Sequence, residues 1–168
     1  LEVFNISYIP DEIIEREEAE KVKKHIAGFI KYRVPENIIL MGGTGTGKTL
    51  AFGIPLLQRL ATMPGKQGLI ILPTRELALQ VEETLQKIGR RSGLKTAVLI
   101  GGASMGLQIK SIRNNPHVIV ATPGRLIDHL NQKTLTLNDV RILVLDEADH
   151  MLDMGFLPQM RNIMADIP

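Results

Sequence analysis

Short apolar runs alternate along this chain with segments in which apolar residues recur every three or four positions. The runs are rich in Ile, Leu and Val and predict buried strands, whereas the longer spacing predicts amphipathic helices. This alternation is typical of an α/β fold in which helices cover both faces of a mostly parallel sheet. The predicted strands are 37–41, 69–72, 96–100, 117–121 and 141–145, and the predicted helices are 17–32, 48–61, 75–88, 104–113 and 124–131.

A glycine-rich segment follows the first predicted strand. Residues 42–49 read Gly-Gly-Thr-Gly-Thr-Gly-Lys-Thr, which fits the phosphate-binding loop pattern. Its glycines let backbone N–H groups close around phosphate oxygens at the start of a helix, while the Lys reaches the β- and γ-phosphates and the last Thr ligates Mg²⁺. We therefore expect ATP or ADP with Mg²⁺ to be held by Gly43, Thr44, Gly45, Thr46, Gly47, Lys48 and Thr49.

A second polar cluster ends the last predicted strand, where Asp-Glu-Ala-Asp at 146–149 follows the apolar run 142–145. Ligands of parallel α/β sheets bind at the carboxyl ends of the strands, so this cluster and the glycine-rich loop should share one site. A carboxylate there can hold Mg²⁺, and its neighbour can orient an attacking water. We expect Lys48, Asp146 and Glu147 to be catalytic, Thr49 and Asp146 to hold the metal, and Asp149 to form a local ion pair.

Composition narrows the class of protein. The 168 residues, 44% of them hydrophobic, suffice for one domain with a substantial core. No apolar run reaches membrane-spanning length, and the absence of cysteine fits an intracellular, cytoplasmic protein. With 20 basic and 18 acidic residues the net charge is only +2, so a nucleic-acid site would need a local basic patch. The four histidines lack metal-ligand spacing, and we expect a surface role for His150.

From the glycine-rich loop onward, the chain resembles the first RecA-like domain of DEAD-box RNA helicases. After the loop, the family's motifs follow in the family's order: Pro-Thr-Arg-Glu-Leu-Ala at 73–78, Gly-Gly at 101–102, Thr-Pro-Gly-Arg at 122–125, and then Asp-Glu-Ala-Asp. The resemblance covers residues 44–168. It implies a three-layer, RecA-like P-loop NTPase fold that uses ATP with Mg²⁺ and binds RNA.

The same resemblance implies which residues contact the backbone of single-stranded RNA. Each has a structural alternative, because Thr and Gly at such places also suit helix caps and tight turns. The two roles are compatible, since helix N-termini bind phosphate. The residues implied are Thr74, Arg75, Gly101, Gly102, Thr122, Gly124 and Arg125, and we expect them to form a weak RNA site.

Upstream of the loop, the chain lacks the Pro-Thr-x-x-Gln pattern of the family's Q motif. Segments 8–17 and 35–40 are instead similar to the start of AAA+ replication-initiator ATPases, a resemblance that covers about residues 4–43. We interpret the chain as a single domain joined from an initiator-like part, 1–43, and a DEAD-box-like part, 44–168. The alternative is a DEAD-box protein with a divergent N-terminal segment. The initiator resemblance implies that adenine packs near Tyr8, Ile9, Pro10 and Arg16.

The resemblance also raises a question about the sheet. In DEAD-box domains a strand ending in Ser-Ala-Thr follows the Asp-Glu-Ala-Asp motif and lies between that motif's strand and the phosphate-loop strand. The sequence reaches Pro168 without it, which would leave an interior slot with unpaired backbone groups. Three solutions are open: the flanking strands pair directly, the segment 1–8 fills the slot, or two chains associate. We expect a homodimer.

The expected activity is nucleotide binding with slow ATP hydrolysis. An arginine finger typically contributes ~10³–10⁵ in rate, and none is evident in this sequence. Unwinding requires the family's second RecA-like domain and is not expected. The alternative is a non-catalytic nucleotide- or RNA-binding module that is stable as a homo-oligomer.

Overall fold

Strands and helices alternate through the part of the chain that the computed structural model describes, which comprises residues 2–6, 37–40 and 48–168. A short 3₁₀ turn, Arg90–Ser92, follows the second helix. The strands are β1 (Glu2–Ile6), β2 (Asn37–Leu40), β3 (Gln67–Ile71), β4 (Thr96–Leu99), β5 (Val118–Ala121) and β6 (Val140–Asp146), and the helices are α1 (Lys48–Ala61), α2 (Arg75–Gly89), α3 (Met105–Arg113), α4 (Pro123–Asn131), α5 (Ala148–Asp153) and α6 (Leu157–Ala165).

All six strands form one parallel sheet in the order β2-β1-β6-β3-β5-β4. The predicted α/β fold with a parallel sheet is confirmed. Each predicted strand is present, and so is each predicted helix from residue 48 onward, with ends within two residues of the prediction. The predicted helix 17–32 lies outside the described residues. The sequence pattern does not predict α5 and α6, because these helices of six and nine residues are too short to show a clear apolar period.

Strand β1 fills the slot between β2 and β6. Phe4 pairs with Ile38 on one side and with Val144 on the other, and Ile6 pairs with Leu40 and Asp146. The backbone of β1 thus has a neighbouring strand on both sides, which is the second of the three solutions that the sequence left open. The slot is therefore occupied from within the chain, whereas the expected homodimer stays a prediction.

Two apolar clusters sandwich the sheet. On one face Phe52 and Leu56 of α1 and Leu85 of α2 pack with Ile70, whereas on the other face Leu126 of α4 packs with residues such as Leu69. Neighbouring residues of β3 therefore contribute to opposite clusters, as expected for a strand that is buried on both faces. This packing fixes the carboxyl ends of the strands at one edge, where the predicted site residues lie. Among the described helices, none is long and apolar enough to cross a membrane.

Candidate nucleotide and nucleic-acid site

Lys48 and Thr49 form the first turn of α1. Helix N-termini carry partial positive charge and unpaired N–H groups, so this position favours an anion. Both side chains are half-buried, and Lys48 interacts electrostatically with Asp146 across the carboxyl edge of the sheet. The preceding loop residues, 41–47, lie outside the described residues, so the roles predicted for Gly43, Thr44, Gly45, Thr46 and Gly47 stay predictions.

Asp146 is the last residue of β6 and is only 6% exposed. Burial raises the pKa of its carboxyl group to about 6, against the lowering effect of Lys48, while the nearby Glu147 and Asp149 charges raise it further. Its Oδ1 atom is buried and has no hydrogen-bond partner among the described residues. A buried polar atom without a partner is costly, and a divalent cation would satisfy it.

The acidic residues do not form a closed metal cage. Within the described ranges, no three His, Cys, Asp or Glu side chains are grouped so that they could hold a metal ion. Mg²⁺ is usually bound through one or two carboxylates together with substrate phosphates and water. The single buried carboxylate of Asp146 and the Thr49 hydroxyl therefore fit Mg²⁺ that arrives with a nucleotide better than a resident structural ion.

Glu147 has an unusual backbone conformation. Its φ of 54° and ψ of 47° are left-handed, which costs a non-glycine residue roughly 1–3 kcal/mol and is often found at functional sites. The turn ends β6 and starts α5 within one residue. The His150 Nδ1 atom lies 3.2 Å from Oε2 of Glu147, with side-chain exposures of 49% and 19%. His150 is thus at the surface, as expected, but it also contacts a predicted catalytic residue, which the sequence analysis missed.

The predicted RNA-contacting residues of three separate motifs meet at the other half of the same edge. A Cβ atom on Gly102 would lie against the Arg75 guanidinium group, so the two are in close contact, and Gly102 has a φ of 75°. Arg125 Nη1 donates to the carbonyl oxygen of Ala103 at 3.0 Å. Arg125 Nε lies 3.6 Å from Asp128 Oδ2, an ion pair rather than a hydrogen bond.

Helix capping, the structural alternative to RNA binding for Thr74 and Thr122, is found at only one of these two residues. The Thr74 hydroxyl accepts a hydrogen bond from the Leu77 N–H at 3.4 Å and so caps α2. Thr122 precedes α4 but makes no side-chain cap, so that alternative is wrong for Thr122. Cβ atoms placed on Gly101 and Gly124 would meet nothing within 4 Å. The surface beside these two glycines is therefore open.

A buried polar network supports this half of the edge. Gln108 Nε2 donates to the Ile100 carbonyl oxygen at 2.9 Å, which leaves Gln108 Oε1 to accept from His129 Nε2–H at 3.0 Å. The His129 Nδ1 atom lies 2.8 Å from the Thr134 hydroxyl oxygen, which also lies 3.1 Å from the His129 carbonyl oxygen. Burial, and after it the Arg125 charge, lowers the pKa of His129, with Asp128 opposing. The network ties α3 to α4, the helices that follow Gly101–Gly102 and Thr122.

The sequence analysis did not single out Gln108 or His129. A signal was present, because His129 follows Leu126 by three positions and therefore shares the apolar face of α4. Gln108 gave no such signal, since its partners come from two other elements. Tyr8, Ile9, Pro10 and Arg16 lie outside the described residues, and their predicted place beside adenine stays a prediction.

Comparison with a protein-family model gives a match to "DEAD/DEAH box helicase" over residues 22–168. The match begins upstream of the glycine-rich loop and so includes part of the segment that we compared with initiator ATPases. The comparisons give no support to an initiator origin of that segment.

Curated relatives of this chain include RNA helicases. The chain is 47% identical over 134 residues to the DEAD-box ATP-dependent RNA helicase CshA of Bacillus subtilis, an alignment that covers 79% of this chain and 27% of the relative. The chain thus spans about a quarter of the length of the curated relatives that it matches.

Solved structures that resemble this chain are also of helicases or DEAD-box proteins. A hypothetical ATP-dependent RNA helicase from Sulfolobus tokodaii superposes with a TM-score of 0.71 and 34% identity, covering 88% of this chain and 46% of that one. The yeast DEAD-box splicing factor Prp28 superposes with a TM-score of 0.73 and 33% identity, covering 87% and 36% of the two chains.

Proposed function

Because this chain belongs to the DEAD/DEAH box helicase family, we propose that it binds ATP or ADP with Mg²⁺ at the carboxyl edge of its sheet, between α1 and the end of β6. The observation that carries the proposal is the buried Oδ1 atom of Asp146, which has no hydrogen-bond partner among the described residues and is within electrostatic reach of Lys48. A bound cation would satisfy the Asp146 oxygen, and the phosphate that accompanies it would lie near Lys48.

In this proposal each residue has one task. Mg²⁺, when bound, neutralises phosphate charge, and Thr49 and Asp146 hold it with help from water. Lys48 neutralises the β- and γ-phosphates, and the backbone N–H groups of Gly43, Thr44, Gly45, Thr46 and Gly47 surround them. Glu147 orients the attacking water, and its contact with His150 limits the freedom of the carboxylate.

We further propose that Thr74, Arg75, Gly101, Gly102, Thr122, Gly124 and Arg125 contact the RNA backbone. The support is their convergence: Arg75 packs on Gly102, Arg125 binds the Ala103 carbonyl, and the glycines leave open surface. RNA unwinding is not part of this proposal, because the chain spans about a quarter of the length of its curated relatives. Hydrolysis by residues 1–168 should be slow unless an arginine finger, which typically contributes ~10³–10⁵ in rate, is supplied from elsewhere.

The organisation of the chain is part of the same proposal. Residues 1–168 form one P-loop NTPase domain, with a DEAD-box-like part from 44 onward, which acts inside the cell where its RNA ligand is found. An initiator-like origin of 1–43 remains our hypothesis, and it places Tyr8, Ile9 and Arg16 at adenine. Tyr8→Ala should then weaken binding of ATP more than binding of GTP, as measured by competition. Equal weakening would reject this place for adenine.

The substitution Lys48→Ala tests the nucleotide site. A charge-assisted phosphate contact contributes roughly 1.5–3 kcal/mol, so the affinity for Mg-ATP should fall about ten- to one-hundredfold in calorimetric titration. Lys66→Ala is the matched control, because Lys66 pairs with Asp139 at the opposite, amino end of the sheet. Unchanged affinity in a folded Lys48→Ala protein would reject the assignment.

The second candidate is a non-catalytic module that binds nucleotide or RNA and is stable as a homo-oligomer. It differs from the first candidate in having no turnover, and β1 fills the slot that suggested association. Single-turnover hydrolysis measured beside nucleotide affinity separates the candidates, since binding without turnover identifies the module. Light scattering across a dilution series then decides its oligomeric state.

A further inference from the structure

Charge is distributed unevenly along this chain. The 44 residues of 84–127 include seven basic residues and no acidic one, which leaves 13 basic and 18 acidic residues for the remainder. The small net charge of +2 therefore hides two regions of opposite sign. A chain with so small a net charge needs a local basic patch to bind nucleic acid. This stretch is a candidate for that patch.

Five of the seven basic side chains lie around one margin of the sheet, and we call them the basic edge. The margin is formed by β4, the outermost strand, at the amino end opposite the nucleotide site. All five side chains are exposed. The basic edge consists of Arg90 and Arg91 in the 3₁₀ turn, Lys95 before β4, and Lys110 and Arg113 in the last part of α3.

Hydrogen bonds hold the loop before β4 against the loop before β5. The Lys95 N–H donates to His117 Nδ1 at 3.0 Å, and the His117 N–H donates to the Lys95 carbonyl oxygen at 2.8 Å. Helix α2 packs in one apolar cluster and α3 against the other, so they lie on opposite faces of the sheet. The basic edge thus wraps from one face to the other around the loops that precede β4 and β5.

The charges of the basic edge are not compensated. None of its five members makes an ion pair with another described residue. The acidic residues that precede the stretch are already engaged, since Glu83 pairs with Lys87 at 2.7 Å and Glu82 accepts from the Thr96 hydroxyl. Clustered charge of one sign raises the local concentration of an oppositely charged ligand.

We propose that the basic edge is a second RNA-contact surface, which binds phosphates of a strand that extends beyond the residues named above. The inference rests on the proposed RNA-binding function. Residues 84–127 contain no Phe, Tyr or Trp, which argues against base stacking on these side chains and against a protein interface with such anchors. Phosphate contacts need only exposed positive charge, and they are independent of sequence.

Short and long RNA distinguish this surface from the site at the carboxyl edge. The double variant Arg91→Gln/Arg113→Gln removes one charge from each face. Its affinity for a single strand of about six nucleotides should equal that of the parent, while a strand of about 20 nucleotides should bind more weakly. Since each phosphate contact contributes about 0.7 to the salt slope for single strands, the slope with the long strand should fall by about 1.4. The loss in affinity should then be about sevenfold larger at about 50 mM than at about 200 mM salt.

Lys66→Gln/Lys133→Gln is the control with the same change in net charge, because both residues lie outside the 84–127 stretch and Lys66 is paired with Asp139. The control should bind both RNAs as the parent does, and Arg91→Lys/Arg113→Lys should restore the slope. An equal loss of RNA affinity in the control, or an unchanged salt slope in the test variant, overturns the inference about the basic edge and leaves the proposed RNA-binding function intact. The inference is also overturned if the basic edge binds polyglutamate but not the long RNA. That result would indicate an acidic protein as the ligand of the basic edge. A parent that binds neither RNA overturns the proposed RNA function as well.

Discussion

The two halves of the carboxyl edge differ in how completely the protein satisfies its own polar groups. On the nucleotide half, Asp146 has a buried oxygen without a partner, and Glu147 has a left-handed backbone. On the RNA half, Gln108 and His129 are paired within the protein and Arg125 Nη1 binds the Ala103 carbonyl, although the buried Arg125 Nε has an ion pair with Asp128 in place of a hydrogen bond. Unsatisfied buried groups cost free energy, whereas paired ones stabilise the fold. The nucleotide half is therefore arranged to gain from a ligand, and the RNA half is organised before a ligand arrives.

Glu147→Gln should have the largest effect, because it removes the carboxylate that would orient water. Losing such a group typically costs 10²–10⁴ in rate, so residual hydrolysis in single-turnover experiments should fall by about that factor. Nucleotide affinity should be nearly unchanged, since the amide keeps the shape of the side chain. Hydrolysis at the parent's rate would show that the nucleotide half is not catalytic through Glu147.

Asp146→Asn should stabilise the protein without nucleotide and abolish its Mg²⁺-dependent nucleotide binding. The folded pKa of Asp146, about 6, exceeds the ordinary value of 3.8, so the folded state disfavours the charged carboxylate. A difference of about two units corresponds to roughly 3 kcal/mol, and the gain at pH 7.5 should be no larger than that. Chemical denaturation of both proteins provides the measurement.

The pH dependence of unfolding should also report the burial of Asp146. Between pH 3.8 and about 6 the folded state binds the proton that the unfolded state has lost, so the contribution of Asp146 to stability falls as pH rises through this window. Asp146→Asn should remove that slope. A variant that retains the parent's slope would show that Asp146 is not the group whose burial is costly.

His129→Phe tests the RNA half and should cost about 1–3 kcal/mol, because it leaves Gln108 Oε1 buried without a donor. The pKa of His129 is lowered by burial, so the unfolded state protonates first as pH falls below about 6.5 and the stabilising contribution of the neutral ring is lost. Acidification should therefore lower the contribution of His129 to stability, while it raises the contribution of Asp146. A His129→Phe protein that loses as much stability on acidification as the parent would contradict this.

Gly102→Ala should have the smallest effect, roughly 1 kcal/mol in unfolding, with a loss of RNA affinity as Arg75 is displaced. Its φ of 75° disfavours a side chain, and the added Cβ would meet the Arg75 guanidinium group. Gly65→Ala is the matched control, since Gly65 has a φ of 76° and a Cβ there meets nothing within 4 Å. Equal effects of the two substitutions on RNA affinity would show that the contact with Arg75 does not organise the site.

The sequence predicts features that depend on local pattern. The parallel sheet and the ends of most elements are confirmed because apolar runs and helical spacing are local signals. The left-handed backbone of Glu147 has no such signal, since only its place between β6 and α5 imposes it. The pairing of Gln108 with His129 joins residues 21 positions apart, and nothing in either segment specifies the other.

The position of β1 shows the same limit. Its apolar residues permitted an extended strand, but a homodimer would have satisfied the same backbone groups, and local pattern does not choose between them. The choice depends on whether a segment of the chain reaches the slot with the right direction. In the structure β1 does so, parallel to both neighbours, paired with β6 over Glu2–Ile6 and with β2 over Val3–Ile6.

Placing β1 in the interior of the sheet also affects the order in which the domain can fold. Phe4 pairs with Ile38, 34 residues later, and with Val144, 140 residues later. Closing such long loops costs conformational entropy before the strand contacts that compensate for it have formed. Proteins dominated by non-local strand pairs therefore fold slowly. Until β1 is inserted, β2 and β6 each present an open parallel edge, and such edges make folding intermediates prone to aggregation. The strand that completes the sheet thus also sets how long the chain is vulnerable on its way to the native state.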